Sequence, residues 1–350
     1  MSTLKVNTIQ DTTGNDALTI DSSGNVTASQ GFVPSTQLSH RNLVINGAMQ
    51  VAQRGTATSN GYTLDRWAFN STGMDDFAFS ITQNTSSGLS EFPNSLKFTT
   101  TTAESAVDAN DRAYFDYRIE GQNLQNLGYG TSDAKTMTLS FWVKSSVTGT
   151  YASFIYQDDA SPARSYLANW TIDTANTWEK KTITIAGDSG GNINNDNGPA
   201  FYLRWFLFAG SDWSGSSTPL HTWGSTVGRT EAPNQTAQVP LTNNSTWELT
   251  GVQLEVGSVA TPFEHRSYGE ELARCQRYYY KPGGDIETWR NWANSHGIGY
   301  IWFPVQMRIA PSVSNTANSY NVTSKTTHVF GYASTLTSGQ AFGITADAEL

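Results

Sequence analysis

Six residues combine flat aromatic rings with planar hydrogen-bonding groups. They are Trp213, Trp223, Trp289, Arg290, Asn291 and Trp292. The first two lie in the Gly-, Ser- and Thr-rich stretch 210–224, and the other four are consecutive. Aromatic faces and planar polar groups displayed on loops are what recognition of a sugar ring requires. The alternative is that these indoles fill subunit interfaces or cap the cores, because large aromatic side chains are mostly buried by packing.

Two pairs of adjacent carboxylates, Asp75-Asp76 and Asp158-Asp159, raise the question of glycoside hydrolysis. Neighbouring residues of a strand point to opposite faces, so neither pair presents two carboxylates to one substrate. The sequence has no His-Glu-x-x-His pattern, and the five histidines show no metal-ligand spacing. Its one Gly-x-Ser-x-Gly match, residues 187–191, leads into the turn-rich loop 188–198 and not into a helix, so it is not a nucleophile elbow. We therefore predict a protein that is not an enzyme.

The loop 188–198 is rich in oxygen ligands and suggests Ca²⁺. Asn192, Asn194 and Asp196 have the alternate spacing of the first ligands in an EF-hand calcium loop, but only one of them is a carboxylate. Gly198 falls one position late and no closing glutamate follows. The loop is thus open to two interpretations, a calcium loop or a plain turn-rich loop, and no cofactor is assigned.

The composition favours antiparallel β-structure and excludes two classes of partner. A net charge of -9 offers no basic field for a nucleic acid. Mean hydropathy is -0.42 although only 15% of residues are charged, and this Ser-, Thr-, Asn- and Gly-rich polarity with 12% aromatics is typical of sheets linked by turns. The first residues lack the apolar core of a signal peptide, and no run approaches the ~18 apolar residues of a membrane span. With Cys275 as the single cysteine, we expect assembly in a reducing cytoplasm and no membrane insertion.

Residues 1–39 carry a short repeat in which Asp11–Asn15 returns as Asp21–Asn25. Each copy is a turn signal between short apolar alternations, which predicts a few short strands. Such strands bury too little apolar surface to be stable alone, so we expect them to pair with further copies of the chain or with a docking partner. The alternative is a disordered terminus.

Residues 40–266 are predicted to be almost entirely strand. The clearest strands are Asn42–Ile45, Ser95–Phe98, Ala113–Ile119, Thr138–Lys144, Lys181–Ile185 and Phe201–Phe208. In the closing strand, which begins near Trp247, the apolar residues occupy odd positions before Gly251 and even positions after it. This change of phase predicts a β-bulge at Gly251.

A helix is predicted over 267–282, with a capping box formed by Ser267 and Glu270. Its apolar stripe is Tyr268, Leu272, Cys275 and Tyr279. Beyond it, residues 283–350 form a small β domain whose core is marginal for its size. We expect the stripe to pack near the threefold axis of a trimer.

Several motifs, taken in order, resemble the landmarks of tailed-bacteriophage fibre proteins, notably those of cyanophages. These are Leu4–Asp11, Asn42–Gly55, Tyr62–Trp67, Gly251–Gly257 and Cys275–Tyr280, which together span nearly the whole chain. The resemblance implies a homotrimeric tail fibre on the virion, attached to a tail or adaptor protein through its N-terminal segment. It also implies a middle jelly roll like those of carbohydrate-binding modules, which often hold a structural Ca²⁺, and a distal C-terminal β domain.

The expected fold is therefore an all-β antiparallel jelly-roll sandwich with an N-terminal β attachment segment, a short linking helix and a small C-terminal β domain. The expected function is non-enzymatic attachment to a glycan or protein of the host cell surface. Two alternatives stay open: a structural head or tail fibre that binds no receptor, and a polysaccharide-depolymerising tailspike. The second is disfavoured because the chain shows no parallel β-helix repeat.

Overall fold

The structure is a computed structural model. It describes residues 6–10, 13–14, 16–20, 22–23, 26–28, 39–215, 218–226, 228, 230–282, 286–287, 291–292, 296–315, 320–334, 341–342 and 344–350, some of the shorter strands by their backbone alone. The chain divides into two compact units, residues 1–40 and residues 41–350.

The first unit is a three-stranded antiparallel meander. Its strands are β1 (Thr8–Gln10), β2 (Asp16–Ile20) and β3 (Val26–Ala28). The two turns fall where the repeated Asp-to-Asn motifs predict them. Val6, Ile9 and Val26 leave 37%, 48% and 62% of their surface exposed, so this small sheet buries little apolar surface within itself.

The second unit is built on a sandwich of two antiparallel sheets, and the predicted all-β jelly-roll class is confirmed. The first sheet has seven strands in the order β14-β11-β10-β13-β8-β5-β4 and the second has five in the order β12-β9-β15-β7-β6. Their bounds are β4 Gly61–Tyr62, β5 Trp67–Thr72, β6 Ala78–Asn84, β7 Ser95–Thr102, β8 Arg112–Glu120, β9 Met137–Ser145, β10 Gly149–Gln157, β11 Arg164–Ile172, β12 Glu179–Ile185, β13 Pro199–Ala209, β14 Gly224–Ser225 and β15 Thr246–Val256.

The two sheets enclose one large aromatic core. Along β13 the residues Phe201, Leu203, Trp205 and Leu207 alternate inward, as the period of a strand requires. Trp205 lies 5.5 Å from Trp67 between ring centroids, and both are fully buried. Since the inward positions are nearly all large and apolar, the outward positions of the same strands are left for polar chemistry.

The predicted bulge and helix start are both present. The register of β15 against β9 shifts between Thr250 and Gln253, and Gly251 there has φ +60°, which favours glycine. The first α-helix, α1 (Ser211–Ser214), is a single turn. The second, α2 (Tyr268–Gln276), begins at Ser267, whose Oγ accepts a hydrogen bond from the Glu270 backbone N–H at 3.3 Å. Neither helix of the described residues is long and apolar enough to cross a membrane.

The C-terminal residues add three small sheets. The strands are β16 Tyr279–Tyr280, β17 Ile286–Glu287, β18 Asn291–Trp292, β19 His296–Trp302, β20 Ser312–Asn315, β21 Tyr320–Lys325, β22 Val329–Ser334, β23 Ala341–Phe342 and β24 Ile344–Asp347. They pair in the orders β16-β24-β20, β17-β23 and β18-β19-β22-β21. Phe303, Met307 and Phe330 contribute to a core of their own.

A band of charged contacts joins the chain end to the sandwich, and we call Arg54, Arg66, Asp347 and Glu349 the C-terminal seam. Arg66 binds Glu349 with side chains only 1% and 3% exposed, and Arg54 reaches Asp347 at 3.0 Å and Glu349 at 3.2 Å. Arg66 also lies 3.5 Å from the ring centroid of Tyr278. Residues 41–350 form one compact unit. The division of this unit at residues 266, 282 and 283 stays a prediction.

Two sequence predictions of secondary structure are corrected. Residues 42–45 are irregular, because the Asn42 side chain bonds the backbone of Val252, Val44 and Leu254. The helix ends at Gln276 and not near 282, because Tyr279 and Tyr280 are extended and pair with β24.

Candidate ligand-binding face

The outward positions of the seven-stranded sheet form ordered rows of aromatic and charged side chains. In one row Tyr156 of β10 lies opposite Tyr202 of β13, which lies opposite Arg118 of β8. In the next row Phe154 lies opposite Arg204, which lies opposite Asp116. Because antiparallel register fixes which side chains are neighbours, these six outward residues are set side by side. We call them, with Arg112, Asp158 and Glu231, the Arg204 face.

Arg204 is the centre of this face. Its Nε donates to Asp116 Oδ1 at 2.9 Å, and its Nη1 donates to Glu231 Oε2 at 2.6 Å. Arg112 donates to the same Glu231 oxygen at 3.1 Å, so one carboxylate joins two guanidinium groups. The Arg204 guanidinium also lies 3.9 Å from the ring centroid of Tyr114. A planar guanidinium that is bonded on two edges and stacked on a ring has its orientation fixed.

Two tyrosines and one aspartate form the more accessible part of the face. Tyr156 and Tyr202 are partly exposed, with ring centroids 5.3 Å apart at 70°. The Tyr156 hydroxyl donates to Asp158 Oδ1 at 2.7 Å, and the Tyr202 hydroxyl donates to Asp158 Oδ2 at 3.4 Å. Burial, followed by the hydrogen bond to Asp158, raises the pKa of Tyr156 to about 12. Both phenols therefore remain neutral hydrogen-bonding groups near pH 7.

A cavity of about 340 Å³ opens on this face. Its lining comprises Arg112, Phe154, Tyr156, Arg204, Thr226 and Glu231. Beside the cavity, Trp213, Leu220 and Ala232 belong to a second apolar cluster, which also contains Phe154 and Phe206. The volume and the mixture of aromatic and polar lining match those of small-molecule sites.

The structure separates the two tryptophans of the 210–224 stretch. The Trp213 ring lies 4.0 Å from the Arg112 guanidinium, at the border of the Arg204 face, and its Nε1 donates to Asn110 O at 2.8 Å. Trp223 packs against Tyr129 and Phe201 at the main core, and its Nε1 donates to Ala186 O at 2.6 Å. The two indoles do not form one platform, and each packs against an apolar cluster.

The second predicted aromatic group is largely outside the described residues. Trp289 and Arg290 are not among them. Asn291 and Trp292 form β18, opposite Gly297 and His296, and only their backbone is described. Their proposed part in ligand binding stays a prediction.

The predicted trimer stripe is divided by the fold. Cys275 is fully buried and Tyr279 is 7% exposed, with the Arg54 guanidinium 3.6 Å from the Tyr279 ring centroid. These two residues are covered by their own chain and cannot contact a threefold axis, which corrects that expectation. Tyr268 is 58% exposed and Leu272 partly so, and both stay available to a partner.

The loop 188–198 is held by protein contacts. Arg164 binds Asp188 through Nε at 2.5 Å and Nη2 at 2.8 Å, and Asp159 accepts from the Asn194 backbone N–H at 2.9 Å. Among the residues that the structure describes, no group of three or more His, Cys, Asp and Glu is placed to hold a metal ion. Calcium binding by this loop is still only one of the two interpretations that the sequence allows.

Sequence reasoning missed the Arg204 face, although a signal was present. The even positions of β8 read Arg112, Tyr114, Asp116 and Arg118, and those of β13 include Tyr202 and Arg204. The odd positions of these strands are apolar and face the core. Charged and aromatic residues at the even positions therefore indicate an outward face that can contact a ligand.

No family model matches the chain, and no curated protein matches it. Several solved structures resemble parts of it. One is the enzymatically active domain of tailspike protein 4 from bacteriophage CBA120, with 12% identity, a TM-score of 0.33 and coverage of 62% of this chain but 21% of that one. Another is a family 11 carbohydrate-binding module from Clostridium thermocellum in complex with a mixed-linked tetrasaccharide, with 11% identity, a TM-score of 0.30 and coverage of 59% and 98%. A third is a xylan-binding module from Paenibacillus barcinonensis, with 15% identity, a TM-score of 0.29 and coverage of 58% and 98%.

Proposed function

We propose that this chain is a non-enzymatic phage tail fibre protein that attaches the virion to a glycan of the host cell surface through the Arg204 face. The observation that carries the proposal is the pair of partly exposed rings Tyr156 and Tyr202, 5.3 Å apart between centroids, of which Tyr156 lines a cavity of about 340 Å³. The motifs at Asn42–Gly55 and Gly251–Gly257 support assignment to a tail fibre.

The chemistry of the face suits a sugar better than an apolar or a strongly charged ligand. A pyranose presents a C–H face that packs on an aromatic ring and hydroxyls that both donate and accept hydrogen bonds. The face supplies the rings of Tyr156 and Tyr202, the acceptor Asp158 and the donor Arg118. Its three arginines are balanced by three carboxylates, which favours a neutral glycan over an anionic one.

Binding without catalysis is supported by the state of the carboxylates. Asp116 and Glu231 are both held by Arg204, and Asp158 accepts from two phenols. A general acid or base needs a carboxylate that is free to exchange a proton with the substrate. Carboxylates held in this way serve as fixed acceptors.

Assembly as a homotrimer is supported by exposed apolar side chains in both units. Val6, Ile9 and Val26 in the first unit and Tyr268 and Leu272 in the second are available to further copies. We assign residues 1–39 to attachment on a tail or adaptor protein, with assembly in the host cytoplasm. Light scattering of the purified full chain should give about three times 38.2 kDa, and a mass near 38.2 kDa at micromolar concentration would remove the trimer.

The binding proposal is tested with the full chain and a variant carrying both Tyr156→Ala and Tyr202→Ala. On an array of bacterial surface polysaccharides, the variant should lose at least about tenfold in affinity while its melting temperature stays near that of the parent. Tyr300→Ala is the matched control, because it also removes an exposed phenol but lies on β19. Equal binding by the double variant and the parent would exclude the Arg204 face.

The same preparation separates the two alternatives. A structural fibre without a receptor retains no host cells in a pull-down. A depolymerase shortens the bound polysaccharide on incubation, which size-exclusion chromatography of the polysaccharide detects.

A further inference from the structure

A second cavity, of about 330 Å³, lies on the opposite side of the sandwich, on the outer surface of the five-stranded sheet. Its lining includes Trp142 of β9 and Lys180 of β12, which lie opposite each other on neighbouring strands. Phe92 and Phe263 contribute its walls, and Glu91 lies at its rim. We call this the Trp142 cavity.

The wall of the Trp142 cavity is fixed by packing. Phe92 is 1% exposed and meets Phe263 edge-on at 5.0 Å and His265 in a stacked arrangement at 5.4 Å. At the bulge, a Cβ on Gly251 would lie 2.8 Å from Phe92 Cζ and 3.0 Å from Trp142 Cδ1. The glycine therefore allows the two rings to approach the strand, and the shape of the cavity exists before any ligand arrives.

Three polar groups of the Trp142 cavity differ from those of the Arg204 face in having no partner among the described residues, whereas Thr261 in its lining is bonded to Glu255. Within the described part of the chain, no hydrogen bond or ion pair engages Trp142 Nε1, the Lys180 ammonium or the Glu91 carboxylate. By contrast, Trp178, beside the same sheet, donates to Ser87 O at 2.8 Å, and Lys144 of β9 binds Glu248 at 2.9 Å. Unengaged donors and an unengaged acceptor around an aromatic ring are what a polar ring ligand requires.

We propose that the Trp142 cavity is a second binding site, which takes a single neutral pyranose. The C–H face of the sugar packs on the indole of Trp142, and its hydroxyls donate to Glu91 and accept from Lys180. A charged ring would place its charge beside the like-charged member of the Lys180 and Glu91 pair, and an apolar ring would use neither group. The site is on the other sheet from the Arg204 face and does not depend on it.

The test is a titration of the full chain labelled with ¹⁵N in its tryptophan indoles. The probes are methyl glucoside, methyl galactoside and methyl mannoside, with glucuronate and cyclohexanol as charged and apolar comparisons. The indole cross-peak of Trp142 is identified by its loss in Trp142→Phe. At least one neutral pyranoside should shift that peak saturably, and Lys180→Ala and Glu91→Gln should each weaken the binding several-fold.

Two control variants distinguish this site from the rest of the molecule. Trp178→Phe removes another indole beside the five-stranded sheet and should leave the titration unchanged. Tyr202→Ala disables the Arg204 face and should also leave it unchanged, so failure of either site is seen separately. Absence of a saturable shift with every pyranoside, or a shift with cyclohexanol or glucuronate that is equal to or larger than theirs, would overturn the proposal.

Discussion

Arginine, carboxylate and tyrosine side chains meet in two regions of the 41–350 unit, which differ in how far water reaches them. In the C-terminal seam the Arg66 and Glu349 side chains are 1% and 3% exposed. On the Arg204 face the side chains of Arg204 and Glu231 are 12% and 21% exposed. A buried charge that loses its partner is costly, whereas a partly exposed one recovers hydration. The same chemistry thus fixes the fold in one region and leaves groups that can serve a ligand in the other.

The largest effect is expected at the seam, for Glu349→Gln. The amide keeps the shape but removes the charge that faces Arg66 and Arg54, leaving the buried Arg66 guanidinium without compensation. The free energy of unfolding should fall by about 3–5 kcal/mol, measured by urea denaturation. Glu270→Gln, which breaks the exposed pair with Arg274 on α2, is the control and should cost about 0.3–0.5 kcal/mol. Similar losses in the two variants would remove the distinction between seam and surface.

A second prediction concerns Glu120, a fully buried carboxylate beside the seam. Burial alone would raise its pKa, but hydrogen bonds from Arg277, at 2.9 and 2.8 Å, and from Tyr278 outweigh this and lower the pKa below the ordinary value of 4.5. A carboxylate with a lowered folded-state pKa contributes stability above its unfolded pKa, and that contribution is lost as the pH falls through the folded pKa.

Glu120→Gln should therefore cost about 1.5–3 kcal/mol at neutral pH. The gap between parent and variant should stay constant down to about pH 5 and narrow as the pH falls below 4.5. Urea denaturation across a series of pH values measures it. A gap that is unchanged at low pH would show that the charge of Glu120 contributes nothing and that the loss comes from packing.

The seam and the Arg204 face were beyond sequence reasoning for the same physical reason. Signals that act over a few residues gave correct predictions: the phase change at Gly251 is a bulge, and Ser267 caps α2. The prediction that the helix continues past Tyr279 was wrong because it used only local periodicity. Tyr279 instead pairs as a strand residue with Asp347, sixty-eight residues later in the chain. Glu349 and Arg66 are likewise brought together only by the completed fold.

The same limit applied to the candidate site. The alternation along β8 and β13 is enough to predict an outward polar face. The register that places Arg204 opposite Asp116 cannot be predicted from the sequence of either strand alone. Trp213 and Trp223 were predicted to bind a ligand because the stretch that contains them is rich in small polar residues. That composition does not distinguish an open loop from one whose indoles pack on apolar clusters, as these do.

A third prediction compares arginine with lysine in the two regions. Arg204→Lys keeps the charge but loses the planar fork that engages Asp116 and Glu231 together. We expect a loss of about 0.5–1.5 kcal/mol in unfolding free energy, because water reaches the lysine. Arg66→Lys in the seam should lose more, since no water compensates the missing bonds. Equal losses in the two denaturation experiments would mean that burial does not separate these arginines.

The smallest effect on stability is expected for Tyr156→Phe. The change removes the hydroxyl that reaches Asp158 at 2.7 Å but keeps the ring that lies beside Tyr202. Because Asp158 is exposed, its lost hydrogen bond is replaced by water, and the unfolding free energy should change by no more than about 0.5 kcal/mol. Tyr278→Phe, which removes the bond to buried Glu120, is the matched change near the seam and should cost more. If Tyr156→Phe leaves stability intact but weakens glycan binding, the hydroxyl of this face serves the ligand and not the fold; a larger loss of stability than in Tyr278→Phe would reverse that assignment.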